Sequence, residues 1–285
     1  MWRAQKTYRR HIGTLGTIIL ILFASYSARG NIILPKAPEL SAKGYILVDV
    51  ASGRVLVESN ADESLPPASL TKIMTGYVVA AELETGRISL EDQVPISVNA
   101  WRTQGSKMFI QEGTTVTLSD LLWGVVVQSG NDASVAIAEF LAGDEQAFAD
   151  VMNQHAITIG MTSTNFLNST GLPEEGHFTS ARDMAVLARE LIHRFPKHYA
   201  TYAEREFTFG GIRQPNRNRL LWRDRTVDGI KTGYTLAAGY CLVASAKRDD
   251  MRLVSVVMGA ISDEVRMRET QKLLQYGFRY FETRG

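Results

Sequence analysis

An α+β fold is predicted: an antiparallel sheet assembled from both ends of the chain and flanked by helices, with an all-helical lobe inserted between its halves. Three observations predict it. Strand-patterned hairpins occur at 45–58 and again at 240–258, and the sequence between them is mostly helix-periodic.

Taken in order, a proline-containing lead over 31–40 precedes Tyr45-Ile46-Leu47-Val48-Asp49-Val50 and Arg54-Val55-Leu56-Val57-Glu58. These runs flank Ala51-Ser52-Gly53 and read as a β-hairpin closed by a glycine turn. Helical periodicity follows over 73–83, 118–127, 133–141, 145–159 and 181–195, the last introduced by Thr179-Ser180 as capping residues. Pro66-Pro67-Ala68 imposes an extended approach to the first helix, whose apolar residues cover most of its circumference and so predict burial. A strand carrying Lys231 comes next. A second hairpin then pairs 240–246 with 252–258 around Arg248-Asp249-Asp250, and a closing helix over 263–282 spaces Leu274, Phe278 and Phe281 to pack on the sheet. The sheet lobe is expected over about 40–66 and 205–285, and the helical lobe over about 67–204.

A chain of 285 residues, 45% hydrophobic, can bury a substantial core as one large domain or two unequal lobes. Its net charge is +1 with no long basic run beyond the N-terminus, which excludes a nucleic-acid groove and makes any anion recognition local. Arg3, Lys6, Arg9 and Arg10 precede an apolar stretch over 12–24 and small residues over 25–28. That order predicts a signal peptide over 1–30, cleaved near 27–30, because the apolar stretch is shorter than the ~20 residues of a spanning helix. Export through it places the protein in the periplasm. The single cysteine, Cys241, permits no internal disulfide and lies in an apolar strand-like run, where it reads as a buried small hydrophobe.

Three motifs carry chemistry. Ser69-Leu70-Thr71-Lys72 opens the first helix, and residues three apart share a helix face, so the Lys72 amine can reach the Ser69 hydroxyl. Burial and the positive end of the helix dipole both disfavour an ammonium there and push Lys72 toward a neutral, proton-accepting amine. The plain alternative is a solvated first-turn lysine beside a capping serine. Ser129-Gly130-Asn131 lies between two apolar helices, where Ser129 can relay a proton and Asn131 can orient a substrate amide. Alternatively it is an ordinary helix–helix turn with Asn131 or Asp132 as the next cap. Lys231-Thr232-Gly233 offers a cation and a hydroxyl to an anionic group, with Gly233 leaving room for a substrate backbone at a strand edge. Its plain alternative is a strand end closed by glycine.

The motifs in this order are those of penicillin-binding proteins and serine β-lactamases. Over about 43–283 the chain resembles the low-molecular-mass penicillin-binding proteins that are D-alanyl-D-alanine carboxypeptidases, members of the β-lactamase/transpeptidase-like superfamily. The resemblance includes Pro67-Ala68-Ser69-Leu70-Thr71-Lys72-Ile73-Met74, Gln128-Ser129-Gly130-Asn131-Asp132-Ala133, Arg213-Gln214-Pro215-Asn216-Arg217-Asn218 and Val227-Asp228-Gly229-Ile230-Lys231-Thr232-Gly233. It implies that Ser69 is acylated by the terminal D-Ala-D-Ala amide of a peptidoglycan pentapeptide, with Lys72 as base and Ser129, Asn131 and Lys231 completing a proton network. It further implies an oxyanion hole from the Ser69 and Tyr234 amides, and a carboxylate held by Thr232, Arg217 and Arg266. Neither metal nor cofactor is implied, and β-lactam antibiotics are implied as covalent inhibitors. The family usually continues into a small β-rich domain and a C-terminal membrane anchor, which are not expected within a sequence ending at Gly285, so association with the inner membrane stays open. Tyr234 departs from the histidine or other polar residue expected there.

Two other functions are weighed. A β-lactamase needs a base that delivers water to the acyl-enzyme, and Asn165-Phe166-Leu167-Asn168 loosely resembles the loop that supplies one but carries no Glu. A non-catalytic wall-binding protein would tolerate loss of Ser69 or Lys72, and both are present. His155, His177, His193 and His198 have no metal-ligand spacing and read as packing or surface residues.

Overall fold

The computed structural model describes residues 34–283, so the signal peptide expected over 1–30 lies outside the described residues. β1 (Gly44–Asp49) and β2 (Val55–Ser59) form the first hairpin, and a short 3-10 turn, Ala68–Leu70, leads into α1 (Thr71–Thr85). β3 (Gln93–Pro95) and β4 (Thr115–Thr117) pair across α2 (Val98–Arg102). α3 (Leu118–Trp123) runs into a π-helical turn, Gly124–Gln128, ahead of α4 (Asn131–Ala142), α5 (Glu145–Ile159), α6 (Ala181–Arg194) and α7 (Pro196–Tyr199). The hairpin of β5 (Glu206–Phe209) and β6 (Ile212–Pro215) and the single turn α8 (Leu220–Arg223) precede three long strands. These are β7 (Val227–Thr235), β8 (Gly239–Arg248) and β9 (Met251–Ala260), followed by α9 (Asp263–Tyr280).

The main sheet is antiparallel in the order β2-β1-β9-β8-β7, so the first hairpin docks on the last strand and the sheet draws on both ends of the chain, as its patterning predicts. Alternation along β1 divides its side chains between two layers. Ile46 and Val48 join a core with Ile73 and Met74 of α1 and Leu187 and Leu191 of α6, whereas Tyr45 and Leu47 meet Leu273 and Leu274 of α9. α1 is buried around most of its circumference, including the polar residues Thr71, Lys72 and Thr75. The caps follow from sequence: Ser180 Oγ accepts from Asp183 N (3.1 Å), and Ser262 Oγ from Val265 N (3.1 Å).

Several expectations need correction. The inserted lobe is not all helical, because it carries the β3–β4 ribbon, whose three-residue strands point only Val94 and Val116 inward and are too short for periodicity to reveal. α6, assigned to that lobe, packs on β1 and β9 of the sheet as well as on α1 and α5, and from Lys36 onward the chain forms one compact unit. The helix expected over 118–127 widens at Gly124, a weak helix former within the pattern. The extended approach to α1 ends before Pro67, which is already right-handed helical (φ −74°, ψ −24°). The closing helix stops at Tyr280, leaving Phe281 extended (φ −128°) yet still packed beside α9's core.

Leu274 is 1% exposed between α9 and the sheet. Leu274→Ala is expected to lower unfolding free energy by about 2–5 kcal/mol, read from the denaturant midpoint. A loss under about 1 kcal/mol means that α9 is not a structural layer of the fold.

Candidate active site

Ser69 occupies the middle of the turn between β2 and α1, after Ala68 at φ +48°, a left-handed conformation that is strained for an L-residue and over-represented at functional sites. It lines a cleft of about 1000 Å³. Three residues later, in the first turn of α1, Lys72 is 0% exposed. Its Nζ lies 3.2 Å from Ser69 Oγ, 2.7 Å from Asn131 Oδ1 and 2.6 Å from Thr170 O. The last two are carbonyl oxygens, which only accept. A neutral amine therefore gives its two hydrogens to them and turns its lone pair to the serine O–H. Burial, and then the charge of Arg217, draw Lys72 down from 10.5 to about 7, against the opposing pull of Asp132 and Glu145.

Asn131 reaches Lys72 because the π-helical turn ends at Ser129, held at φ +66°, and α4 begins two residues later. Gly130 takes the N-cap position expected of Asn131 or Asp132, and both side chains are free for other work. Asn131 Nδ2 donates to Gln104 O (2.6 Å), and its backbone N–H donates to Ser106 O (2.7 Å). Asp132 accepts from the Met108 and Phe109 amides (2.9 and 3.0 Å). An acid in a helix's first turn is favoured by the dipole, and here it also fixes the loop that brings Ser106 to the cleft wall beside Ser129.

Lys231-Thr232-Gly233 lies within β7, the edge strand facing this turn. A Cβ at Gly233 would stand 3.1 Å from Pro67 O and 3.2 Å from Ser69 N. The space expected for a substrate backbone is thus occupied in part by the serine's own turn. Lys231 Nζ donates to Thr232 O (3.1 Å) and, among the described residues, makes no hydrogen bond to Ser129. Of the residues expected in the proton network, then, Asn131 is hydrogen-bonded to Lys72 (2.7 Å). Lys231 is held well below the usual lysine range by burial first, then by Lys72, Arg217 and Arg266.

Arg217 and Arg266 line the same cleft as Ser69, Ser129, Thr232 and Tyr234. Arg217 Nε donates to Gln128 O (2.9 Å), and Arg266 donates to Gly233 O (3.0 Å) and Cys241 O (3.2 Å). Burial lowers both guanidinium groups. Tyr234 is 48% exposed with its ring centroid 4.3 Å from that of Tyr240. Cys241 is 0% exposed and burial pushes its thiol up to about 11, so it packs as an inert group.

Sequence reasoning missed the Thr170 carbonyl, which has no side-chain signature. Its loop is built locally: Asn168 Oδ1 accepts from Thr170 Oγ1 (3.0 Å) and Gly171 N (2.8 Å), while Glu145 Oε1 accepts from Ser169 Oγ (2.6 Å). Gly171, at φ +81°, lies against the turn that carries Ser69, where a Cβ would fall 1.8 Å from Ala68 O. His177, lowered to about 4 by burial, bonds Thr71 Oγ1 (3.0 Å) and braces α1. An Asn or Asp near a motif is a visible signal; Asn216 and Asn218, which pin the turn carrying Arg217, gave only that. Among the described residues no group of His, Cys, Asp and Glu side chains has the spacing of a metal site.

Residues 32–262 match the D-alanyl-D-alanine carboxypeptidase family, Peptidase_S11. The chain is 50% identical over 277 residues to the D-alanyl-D-alanine carboxypeptidase DacC of Escherichia coli K12, covering 94% of this chain and 68% of that one. It spans about two thirds of the length of the curated relatives it matches. Penicillin binding protein 5 from Haemophilus influenzae superposes with a TM-score of 0.84 at 45% identity, covering 86% of this chain and 72% of that structure. Penicillin-Binding Protein D2 from Listeria monocytogenes, in its ampicillin-bound form, gives 0.79 at 30% identity, covering 85% of this chain and 99% of that one. The chain belongs to the D-alanyl-D-alanine carboxypeptidase family of serine peptidases.

Proposed function

We propose that the protein is an exported serine carboxypeptidase that removes the terminal D-alanine of peptidoglycan pentapeptides in the periplasm through an acyl-enzyme on Ser69. The observation that carries the reading is the Lys72 amine, buried, with two carbonyl acceptors and one hydroxyl around it. Lys72 takes the Ser69 proton as Oγ attacks the D-alanyl carbonyl carbon, and the developing oxyanion is met by the Ser69 and Tyr234 amides. Ser129 passes the proton to the departing amine while Thr232, Arg217 and Arg266 hold the terminal carboxylate. Water then hydrolyses the ester. The exported location rests on the basic-then-apolar pattern of residues 1–30.

β-Lactams of the class bound by the Listeria relative are proposed as slowly released acylating inhibitors. Support comes from the cleft wall, where the one lining carboxylate among the described residues is Asp263, ion-paired to Arg266 and Arg219 (3.2 Å to the latter). A paired carboxylate is poorly suited to deliver water to an acyl-enzyme, which disfavours a β-lactamase.

Purified protein is expected to release D-alanine from a diacyl-Lys-D-Ala-D-Ala tripeptide, and Ser69→Ala to lose at least about a thousandfold in kcat/KM. Equal release by both proteins ends the assignment. The active form of Lys72 is the neutral amine, and its value stands near 7. The rate of penicillin labelling of Ser69, followed by intact mass, should therefore rise with pH through about 7 and level off above about 8. A rate that is flat or falls between pH 6 and 8 removes Lys72 as the base. Gly171→Ala would drive a methyl into Ala68 O and displace Thr170 O from Lys72. Labelling should slow by about a hundredfold while circular dichroism stays native-like; labelling at the original rate would show that this loop does not set the amine's orientation.

A further inference from the structure

We infer that Glu145 is a positioning residue for the proposed base. Its carboxylate holds Ser169 and Thr170 against α1, and its charge, which no cation neutralises among the described residues, governs how readily Lys72 gives up its proton. The inference rests on the acyl-transfer reading above and deepens it by naming a residue that sets the working pH of the base.

Glu145 begins α5, and an acid in a first turn is favoured by the helix dipole alone. Two observations go beyond that. The N-cap is already filled, because Asp144 Oδ1 accepts from Ala147 N (2.7 Å). Glu145 instead turns away from its own helix, and its Oε1 accepts from both Ser169 N (3.0 Å) and Ser169 Oγ (2.6 Å), 24 positions away. Both bonds fall on one oxygen of a carboxylate that makes no ion pair among the described residues.

The segment so held is the one that meets the amine. Ser169 O accepts from Thr75 Oγ1 (2.8 Å) and Thr170 O from Lys72 Nζ (2.6 Å), and residues 72 and 75 share a helix face. Consecutive carbonyls therefore grip α1 at successive points along one side. Ser169 and Thr170 are buried, whereas Glu145 is only half-buried and reaches them from the adjoining helix. Its length makes it a spacer between α5 and α1. A carboxylate on a shorter side chain would let the 168–171 segment draw back toward α5 and lengthen the contact between Thr170 O and the amine.

Charge is the second part. Lys72 is influenced by Asp132 from α4, Glu145 from α5, Lys231 from β7 and Arg217 from the turn before α8. Behind the same loop, Glu174 accepts from Asn168 Nδ2 (3.2 Å), and His177, neutral above about pH 4, bonds Thr71. Asp132 is tied to the Met108, Phe109 and Ala133 amides (2.9, 3.0 and 2.9 Å), so its replacement would free the cleft loop as well as remove a charge. Glu145 differs. It can be neutralised without losing a bond, because a glutamine amide oxygen accepts from the same N–H and O–H. The carboxylate favours the ammonium at Lys72 against the larger effect of burial. Without that charge the neutral amine should persist to lower pH.

The test follows penicillin labelling of Ser69 by intact mass from about pH 5 to 9, in the full protein and three variants of it. In Glu145→Gln the acid limb should move down by about half a unit to one unit, making labelling at pH 6 roughly three- to fivefold faster. Its plateau above about pH 8 should change less than about twofold. Glu145→Asp keeps the charge and loses the reach, so its limb should stay in place while the plateau falls about fivefold. Asp150→Asn neutralises an exposed acid on the same helix and should move neither. An unmoved limb in Glu145→Gln overturns the inference and leaves the acyl-enzyme standing, as does an equal shift in Asp150→Asn. A Glu145→Asp plateau at the original level overturns the positioning role, whether or not Glu145→Gln folds. Absence of labelling in the unaltered protein at every pH overturns the acyl-transfer reading and the inference together.

Discussion

The site depends on the burial of one amine. Lys72 is taken from water into the middle of the protein, and what it receives there is two carbonyl oxygens and one hydroxyl. Those partners satisfy a neutral amine completely. They do not offset the cost of dehydrating a full charge, and the fall from 10.5 to about 7 corresponds to roughly 5 kcal/mol in favour of the neutral form. Neither neighbouring acid reverses this, because both are engaged elsewhere: Asp132 with the amides of Met108 and Phe109, Glu145 with Ser169. The same acids that hold the surrounding loops are thus too committed to pair with the lysine.

Keeping that amine in register requires several segments to meet at fixed distances, and the backbone is strained where they do. Ala68, Phe109 and Ser129 all have positive φ (48°, 72° and 66°), and they belong respectively to the Ser69 turn, the loop clamped by Asp132 and the loop that ends the π-helical turn. Such conformations cost of order 1–3 kcal/mol each and persist only where surrounding contacts over-determine them. Here the contacts are identifiable. Asn131 and Asp132 hold the 104–110 segment, Asn168 and Glu145 hold the 168–171 segment, and Gly171 and Gly233 let two backbones close on the serine turn from opposite sequence regions.

How much of this was legible follows from which signals are local. The hairpins at both chain ends and the long helices were readable because alternation and helical period are properties of contiguous residues, and Ser69 with Lys72 was readable because i and i+3 lie on one face. β3 and β4 were not, since three residues cannot display a period. The pairing of Lys72 with Thr170 O spans 98 positions and uses a main-chain oxygen, so no residue type announces it. Gly233 illustrates a middle case. Its lack of a side chain was read as room for a substrate backbone, whereas the backbone that approaches it in the structure is that of Pro67 to Ser69.

Charge connects the buried amine to substrate choice. The chain as a whole is nearly neutral, yet Arg217 and Arg266 line the cleft with Lys231 buried in the adjoining strand, and each is pulled below its ordinary value, with burial as the first cause. In the proposed mechanism a carboxylate arriving at Thr232 would relieve that repulsion, so an anionic terminus would gain more here than on an open surface. The same arrival weakens the influence of Arg217 on Lys72 and by itself would favour the ammonium. Desolvation is the larger cause at Lys72, however, and a ligand filling the cleft excludes water further. Recognition of the anion and neutrality of the base are therefore compatible because they rest on different terms: Coulombic attraction at the rim, and loss of solvent at the amine.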